Sequence, residues 1–299
     1  QPQQAACLPC PLGTMCPGAR RTAPQPCPAG SVCDIEGRPV ATGLCPAGYY
    51  CLLGTLTFDP DLANTTAKPI ACPAGTFCLP GVRQLEYIPG DPTTPQPCLA
   101  GTYCAETSGG PGGTGPCPPG YYCPASSSAP IPAPAGTFAA GFGNVNVTEC
   151  FPGTYAPVTG MSACDECPAG YECKTFGLSN GTICPAGYYR AQNDSVACEL
   201  CPKGTWSDRV GLTGKWECLP CPEGLVCNID GMTNLTLAFE CPDGFYCPSG
   251  REGSTQFDYK SPAGYYTRSG TVPADRFNLL CPAGYYCLDG TKEINRFRN

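Results

Sequence analysis

The sequence predicts a fold of small disulfide-rich repeats, made mostly of short β-strands and turns with little helix, in an elongated tandem array of the rod or solenoid type. Three observations predict it. A seven-residue phrase recurs along the chain, 27 of the 299 residues are cysteine, and 38 glycines and 37 prolines are spread among them. Such a composition is typical of disulfide scaffolds, and a recurring phrase indicates stacked repeats rather than one large core.

The phrase is clearest at residues 45–51, where it reads Cys-Pro-Ala-Gly-Tyr-Tyr-Cys, and it returns unchanged at residues 281–287. Ten copies fit the pattern C-[PL]-x-G-x-x-C, and five further units lack one or both cysteines. The incomplete units begin at Ala133, Cys150, Cys184, Cys201 and Ser261. Unit starts lie 16 or 17 residues apart between 117 and 201 and 20 apart from there to 281. A near-constant period predicts one small unit stacked on the next.

Each position of the phrase has a local role. Proline at the second position fixes φ, and glycine at the fourth position suits the end of a type I turn. The two residues that follow are often Tyr-Tyr, Thr-Tyr or Thr-Phe, which favour a strand. One aromatic ring is expected to cover the small disulfide, while the other faces out or packs on the next unit.

Comparison between units predicts the disulfide pairs. The two cysteines of the phrase are present together in ten units and absent together in two, which indicates that they bond to each other. The ten predicted short bridges are Cys10–Cys16, Cys27–Cys33, Cys45–Cys51, Cys72–Cys78, Cys98–Cys104, Cys117–Cys123, Cys167–Cys173, Cys221–Cys227, Cys241–Cys247 and Cys281–Cys287.

Units that lack only the second cysteine gain another one 14 to 17 residues after the first. This predicts three longer bridges, Cys150–Cys164, Cys184–Cys198 and Cys201–Cys218. Cys7 is left over, and by analogy with Cys218 it would pair upstream or with another chain. A rival scheme joins the second cysteine of one unit to the first of the next, as in Cys51–Cys72, and mass-spectrometric mapping distinguishes the two.

Many cysteines without a single histidine indicate an oxidising compartment, so the chain is expected to be extracellular, either secreted or on the cell surface. Five N-glycosylation sequons lie between phrases and never within one. Covalent glycans are therefore predicted in surface loops. The acceptor asparagines are Asn64, Asn146, Asn180, Asn193 and Asn234.

Composition also argues against several functions. The net charge of −7 without a basic patch disfavours nucleic acid, and no apolar stretch is long enough for a transmembrane segment. Histidine-based catalysis is excluded, so no enzyme, catalytic residue or cofactor is predicted.

The spacing Cys198-x2-Cys201-x16-Cys218-x2-Cys221 fits a zinc ribbon in form. Because the repeat register already explains each of these cysteines, no metal site is predicted.

The array divides into four stretches. Residues 1–124 hold tight C-x5-C repeats with two longer insertions. Residues 125–149 form a Pro/Ser-rich connection and a cysteine-free repeat. Long-bridge repeats occupy residues 150–220, and tight repeats with a period of 20 occupy residues 221–299.

The long-bridge units resemble the ephrin-receptor-like cysteine-rich repeats, which belong with the TNF-receptor and EGF-like disulfide modules. The resemblance is carried by Cys150-Phe-Pro-Gly-Thr-Tyr with Cys164-Asp-Glu-Cys167, and by Cys198-Glu-Leu-Cys201 with Cys218-Leu-Pro-Cys221. It is specific over residues 150–227 and looser elsewhere. The resemblance implies non-catalytic, extracellular, elongated modules, and algal and protist surface proteins such as those of mastigonemes carry long arrays of this kind.

The leading hypothesis is therefore a structural glycoprotein that assembles with itself, or with other surface glycoproteins, into a cell-surface or flagellar filament. The alternative is a ligand-binding or adhesion ectodomain that serves as the stalk of a cell-surface receptor.

Overall fold

The computed structural model describes residues 7–192 and 195–292, and its regular structure consists of short antiparallel hairpins. The chain divides into two compact units: Gln1–Glu149 with Ala156–Cys164, and Cys150–Tyr155 with Asp165–Asn299. Each hairpin pairs the two residues after a phrase glycine with the two residues before the next phrase. The fold predicted from the sequence, tandem disulfide-rich repeats of short strands and turns, is confirmed.

In the described part of the first unit, the strand pairs are Thr14–Met15 with Gln25–Pro26, Ser31–Val32 with Gly43–Leu44, Tyr49–Tyr50 with Ile70–Ala71, Thr76–Phe77 with Gln96–Pro97, Thr102–Tyr103 with Gly115–Pro116, Tyr121–Tyr122 with Ile131–Pro132, and Thr137–Phe138 with Thr148–Glu149. In the described part of the second unit they are Thr154–Tyr155 with Asp165–Glu166, Tyr171–Glu172 with Thr182–Ile183, Tyr188–Tyr189 with Glu199–Leu200, Thr205–Trp206 with Leu219–Pro220, and Leu225–Val226 with Phe239–Glu240.

Helix is confined to single turns of 3-10 type among the described residues. These turns are Lys215–Glu217, Leu235–Leu237 and Pro273–Asp275. None of the helices in residues 7–192 and 195–292 has the length and apolar character needed to cross a lipid bilayer.

The turn inside the phrase differs from the predicted type I turn. The Ser31 N–H donates to the Pro28 carbonyl at 3.1 Å, and Gly30 between them has φ +83°. Glycine therefore occupies the third position of a turn that begins at proline, which is the geometry of a type II turn. The prediction was wrong because it placed proline and glycine one position too late in the turn; a positive φ at the third position is what selects glycine there.

Two backbone hydrogen bonds recur between most successive phrases of the described residues, and we call this pair the clasp. In one example the Gly48 N–H donates to the Cys78 carbonyl and the Cys72 N–H donates to the Gly48 carbonyl, both at 2.9 Å. The clasp uses main-chain groups only, so it does not require cysteine. It is therefore present where both cysteines are missing: the Ala133 N–H donates to the Gly120 carbonyl at 2.9 Å, and the Gly120 N–H donates to the Ala139 carbonyl at 2.8 Å.

The phrase glycine can also lie close to the repeat two units further along the chain. A Cβ added to Gly101, which has φ +86°, would lie 2.7 Å from the carbonyl oxygen of Gly143. Gly101 belongs to the unit that begins at Cys98, whereas Gly143 follows the unit that begins at Ala133. Most phrase glycines of the described residues make a similar approach within their own compact unit, and only glycine has room at this contact.

Miniature cores replace a large one. Tyr50 packs on the buried Cys72, Cys78 and Val82 of the next repeat. Trp206 does the same on Cys221, Cys227 and Met232. In these two units, the second residue after the phrase glycine therefore covers the disulfide of the following unit. The sequence left open whether this residue faces out or packs on the next unit, and here it packs on the next unit.

Within residues 242–292, strand pairing is reduced to isolated bridges between Phe245 and Lys260 and between Tyr265 and Leu280. Aromatic contacts support this segment. Tyr265 packs edge-on against Phe277 with ring centroids 5.1 Å apart, and the Arg276 guanidinium lies 4.5 Å from the Phe277 centroid. These contacts surround the unit at 261–267, which lacks both cysteines, and they supply cohesion that a disulfide gives elsewhere.

Candidate functional site

The most specialised part of the array is the long-bridge module, which we define as residues 184–218. Its bridges are Cys184–Cys198, with a Cα separation of 5.7 Å, and Cys201–Cys218, with a Cα separation of 5.8 Å. The buried Leu212 packs on the second bridge, and Tyr189 packs against the cluster that Leu212 forms with Cys201 and Cys218. Each of these two bridges encloses the first strand of a hairpin and the loop after it, and closes just before the second strand, so it constrains a loop that a short bridge leaves outside its ring.

Arg190 takes the place of the second phrase cysteine in this module and is only 4% exposed. Its Nη1 donates to the carbonyls of Cys167 and Pro168 at 3.1 and 3.0 Å. Its Nε donates to the carbonyl of Ser195. A planar guanidinium has donors in several directions, so one side chain links the preceding phrase to the following loop.

Replacing Arg190 with methionine is expected to lower the free energy of local opening by about 3 kcal/mol. The loss arises because buried carbonyls would be left without the charged donor, and bonds to charged donors contribute about 1.5 to 3 kcal/mol each. Hydrogen exchange of peptides from residues 167–173 and 195–201 measures it. Arg209 is exposed, so Arg209→Met is the matched control, and equal effects of the two changes would contradict the linking role.

Glu172 ties the module to the preceding repeat. Its carboxylate accepts from the Cys198 N–H at 3.2 Å and lies 2.8 Å from the Lys174 ammonium. Burial acts to raise the pKa of this carboxyl, but the hydrogen bonds from Lys174 and from the Cys198 N–H outweigh it and hold the pKa below its ordinary value of 4.5. The charged form is therefore the one that the fold favours.

This depressed pKa predicts a pH dependence. A group whose pKa is lower in the folded state contributes stability above its unfolded pKa, and that contribution is lost as pH falls through the folded pKa. We expect the Cys198 amide to lose protection below about pH 4.5, followed by NMR or hydrogen exchange, and Glu172→Gln to remove this pH dependence. A variant with an unchanged acid profile would show that another group controls the loss.

Within the described residues, every cysteine except Cys7 lies in a disulfide bridge. The short bridges join Cys10 to Cys16, Cys27 to Cys33, Cys45 to Cys51, Cys72 to Cys78, Cys98 to Cys104, Cys117 to Cys123, Cys167 to Cys173, Cys221 to Cys227, Cys241 to Cys247 and Cys281 to Cys287. Cys150 and Cys164 are also disulfide-bonded, and their partnership with each other stays a prediction. Cys51 is bonded to Cys45 here, and mass-spectrometric mapping is the direct test of this connectivity.

The cysteines that resemble a zinc ribbon do not form one group. Cys198 is bonded to Cys184, Cys201 to Cys218, and Cys221 to Cys227. Cys7 is exposed and forms no disulfide within the described residues.

The predicted glycan acceptors lie in loops. Asn64, Asn146, Asn180 and Asn234 are all exposed, and Asn193 lies outside the described residues. Asn234 also begins the 3-10 turn Leu235–Leu237, where its side-chain oxygen accepts from the Thr236 N–H at 2.9 Å. A glycan would be attached through the amide nitrogen, which leaves this bond in place.

Sequence reasoning missed Arg190 and Glu172. A signal for Arg190 was available, because it stands where the phrase Cys184-Pro-Ala-Gly-Tyr-Tyr calls for a second cysteine. Glu172 had no such signal, because its partner Cys198 lies 26 residues away and only the fold brings them together.

Comparison with known families agrees with this picture of the module. Residues 175–218 match the family described as tyrosine-protein kinase ephrin type A/B receptor-like. The match covers the whole long-bridge module, together with the nine residues before it, and a minor part of the chain. No curated protein matches the sequence.

The match and the disulfides support a cysteine-rich repeat protein and point to an extracellular or secreted location. The matched family is a receptor-like module rather than a catalytic domain.

Proposed function

We propose that this chain is a non-catalytic structural glycoprotein outside the cell, a disulfide-stapled rod that assembles into a filament on a cell or flagellar surface. Its partners would be further copies of itself or other surface glycoproteins. The hair-like mastigonemes of flagella are one setting in which such arrays occur. Two observations support the proposal: the repeats are of an extracellular type, and they are regularly spaced along the chain.

The clasp is the observation that carries the proposal. The same two main-chain hydrogen bonds recur from unit to unit, for example between Gly75 and the pair Cys98 and Cys104, at 3.0 and 2.8 Å. They recur between Gly244 and the cysteine-free pair Ser261 and Thr267, at 2.9 and 3.0 Å. Equal units joined in this way favour length and repeated side surfaces over a single pocket.

Electron microscopy of native material under oxidising conditions tests the filament. We expect filaments that fall apart in a thiol reductant and resist a metal chelator, because sulfur crosslinks rather than metal ions stabilise the units. Compact monomers under all conditions would contradict the proposal, and so would filaments that dissolve in the chelator alone.

We also propose glycans on Asn64, Asn146, Asn180, Asn193 and Asn234. Treatment of the secreted chain with a peptide N-glycosidase should lower its mass and convert each occupied asparagine to aspartate. Mass spectrometry identifies the converted residues, and unmodified asparagine at all five before treatment would contradict this part of the proposal.

A receptor ectodomain is the second candidate, and the match of residues 175–218 to a receptor-like family favours it. There the array would be a stalk or recognition module. The complete gene distinguishes the two candidates: a membrane-spanning helix encoded beyond residue 299 together with a monomeric ectodomain would favour the receptor.

A further inference from the structure

One exposed loop, residues 18–24, differs from the rest of the array, and we call it the arginine loop. It contains Arg20 and Arg21, and no other two basic residues are adjacent anywhere in the sequence. All seven of its residues are exposed. Arg20 also has a positive φ of 64°, so the loop holds a basic pair at a sharp surface turn.

The backbone of the arginine loop is free of hydrogen bonds within the described structure; its single polar contact is a local one from Arg21 Nε to the Pro17 carbonyl at 2.9 Å. The equally exposed segment 34–40 is different. There Gly37 donates its N–H to the Cys10 carbonyl at 2.9 Å and the Arg38 carbonyl accepts from the Cys16 N–H at 3.1 Å. The arginine loop can therefore change conformation without breaking main-chain bonds.

A cavity of about 350 Å³ is lined both by the loop and by the residues that precede it. Arg21, Thr22 and Pro24 come from the loop, and Pro9 and Cys16 come from the preceding segment. The loop is therefore not tightly packed against that segment. A protease cleft needs several residues in an extended form, and exposed loops without internal bonds supply them most readily.

No disulfide of the described residues spans the arginine loop. The bridge Cys10–Cys16 closes before it and Cys27–Cys33 opens after it. Across the loop, the first repeat is held by the hairpin of Thr14–Met15 with Gln25–Pro26 and by hydrogen bonds. Breaking one peptide bond in the loop would leave the first repeat attached by non-covalent contacts alone.

We propose that the peptide bond between Arg21 and Thr22 is a processing site for a secretory endoprotease specific for paired basic residues. Two neighbouring guanidinium groups suit two pockets lined by carboxylates. Water adds to the Arg21 carbonyl carbon and the bond to the Thr22 nitrogen breaks. The products are the Arg21 carboxylate and the Thr22 ammonium, which takes up both water-derived protons. The cut ends the covalent link between the segment up to Arg21, which carries the exposed Cys7, and the remaining array, and leaves non-covalent contacts to hold that segment.

The test treats the folded 299-residue chain with a serine endoprotease of paired-basic specificity and, in parallel, with trypsin. With the first enzyme we expect one early cut and a new N-terminus at Thr22. Arg20→Gln should slow this enzyme about tenfold or more, since one charged contact is lost, but leave the trypsin cut at Arg21. Arg21→Gln should abolish the cut before Thr22 by both enzymes and leave trypsin only the bond after Arg20, and Arg209→Gln, at an exposed control position, should not change the cut before Thr22.

Two results would overturn the proposal. Trypsin cutting after the exposed Arg209 or Lys215 before Arg21 would show that the loop is not the accessible segment. A paired-basic enzyme that leaves the bond intact while trypsin cuts it would show that the pair is not recognised. The inference rests on the extracellular location in the proposed function and not on assembly, so either failure leaves the filament proposal unaffected.

Discussion

Gly101→Ala is expected to lower the free energy of local opening around the phrases at 98–104 and 117–123 by about 2 to 4 kcal/mol. A positive φ of this kind costs an L-residue about 1 to 2 kcal/mol. The new methyl group would also meet the Gly143 carbonyl oxygen at 2.7 Å, where backbone has to move. Movement weakens the clasp, in which Gly101 donates to the Cys123 carbonyl at 2.8 Å and accepts from the Cys117 N–H at 2.9 Å.

Alanine substitutions at two other glycines distinguish the cost of the positive φ from the cost of the contact with the Gly143 carbonyl oxygen. Gly264 has φ +85° and the same clasp bonds, but a Cβ there has no atom within 4 Å in the described structure. Gly110 has neither a positive φ nor a neighbour within 4 Å. We expect Gly101→Ala to exceed Gly264→Ala, and Gly110→Ala to be nearly neutral. Hydrogen exchange of each region measures the free energy of local opening and so ranks the three variants. Equal losses of this free energy at Gly101 and Gly264 would show that the close contact between Gly101 and Gly143 adds no cost.

Removing the Cys201–Cys218 bridge with a double alanine substitution is expected to lower the stability of its hairpin by about 3 kcal/mol. The bridge separates its cysteines by 17 residues, and the chain-entropy model gives a larger effect for longer loops. Loss of the bridge also removes the surface on which Leu212 and Tyr189 pack. The region should open locally rather than unfold the array, because the Cys201 N–H bond to the Gly187 carbonyl at 2.8 Å is a main-chain contact.

The matched comparison is the double alanine substitution of Cys241 and Cys247, whose bridge separates its cysteines by six residues. The same model gives about 2 kcal/mol for so short a loop. Hydrogen exchange and limited proteolysis of residues 202–217 follow the first variant. A long-bridge variant that opens no more than the short-bridge one would show that loop closure does not set the stability of these units.

Much of the fold could be predicted from the sequence because each phrase carries its own local instructions. Pro28 and Gly30 set a turn, Ser31 and Val32 extend as a strand, and the cysteines are close enough in sequence to bond within the unit. Repetition amplified this signal, since each variant unit could be compared with the others. Long-range partners were not visible in this way, as Glu172 and Arg190 show: their bonds depend on backbone groups of other repeats.

The sequence by itself determined that the chain is a tandem array of small disulfide-rich units, because turn residues and cysteine spacing act over a few residues. Only the tertiary structure decided how one unit holds another. The clasp at most phrase glycines, the approach of Gly101 to Gly143 and the hydrogen bonds of the buried Arg190 guanidinium all depend on main-chain groups that every residue carries. Such groups leave no mark in the sequence until folding places them opposite one another.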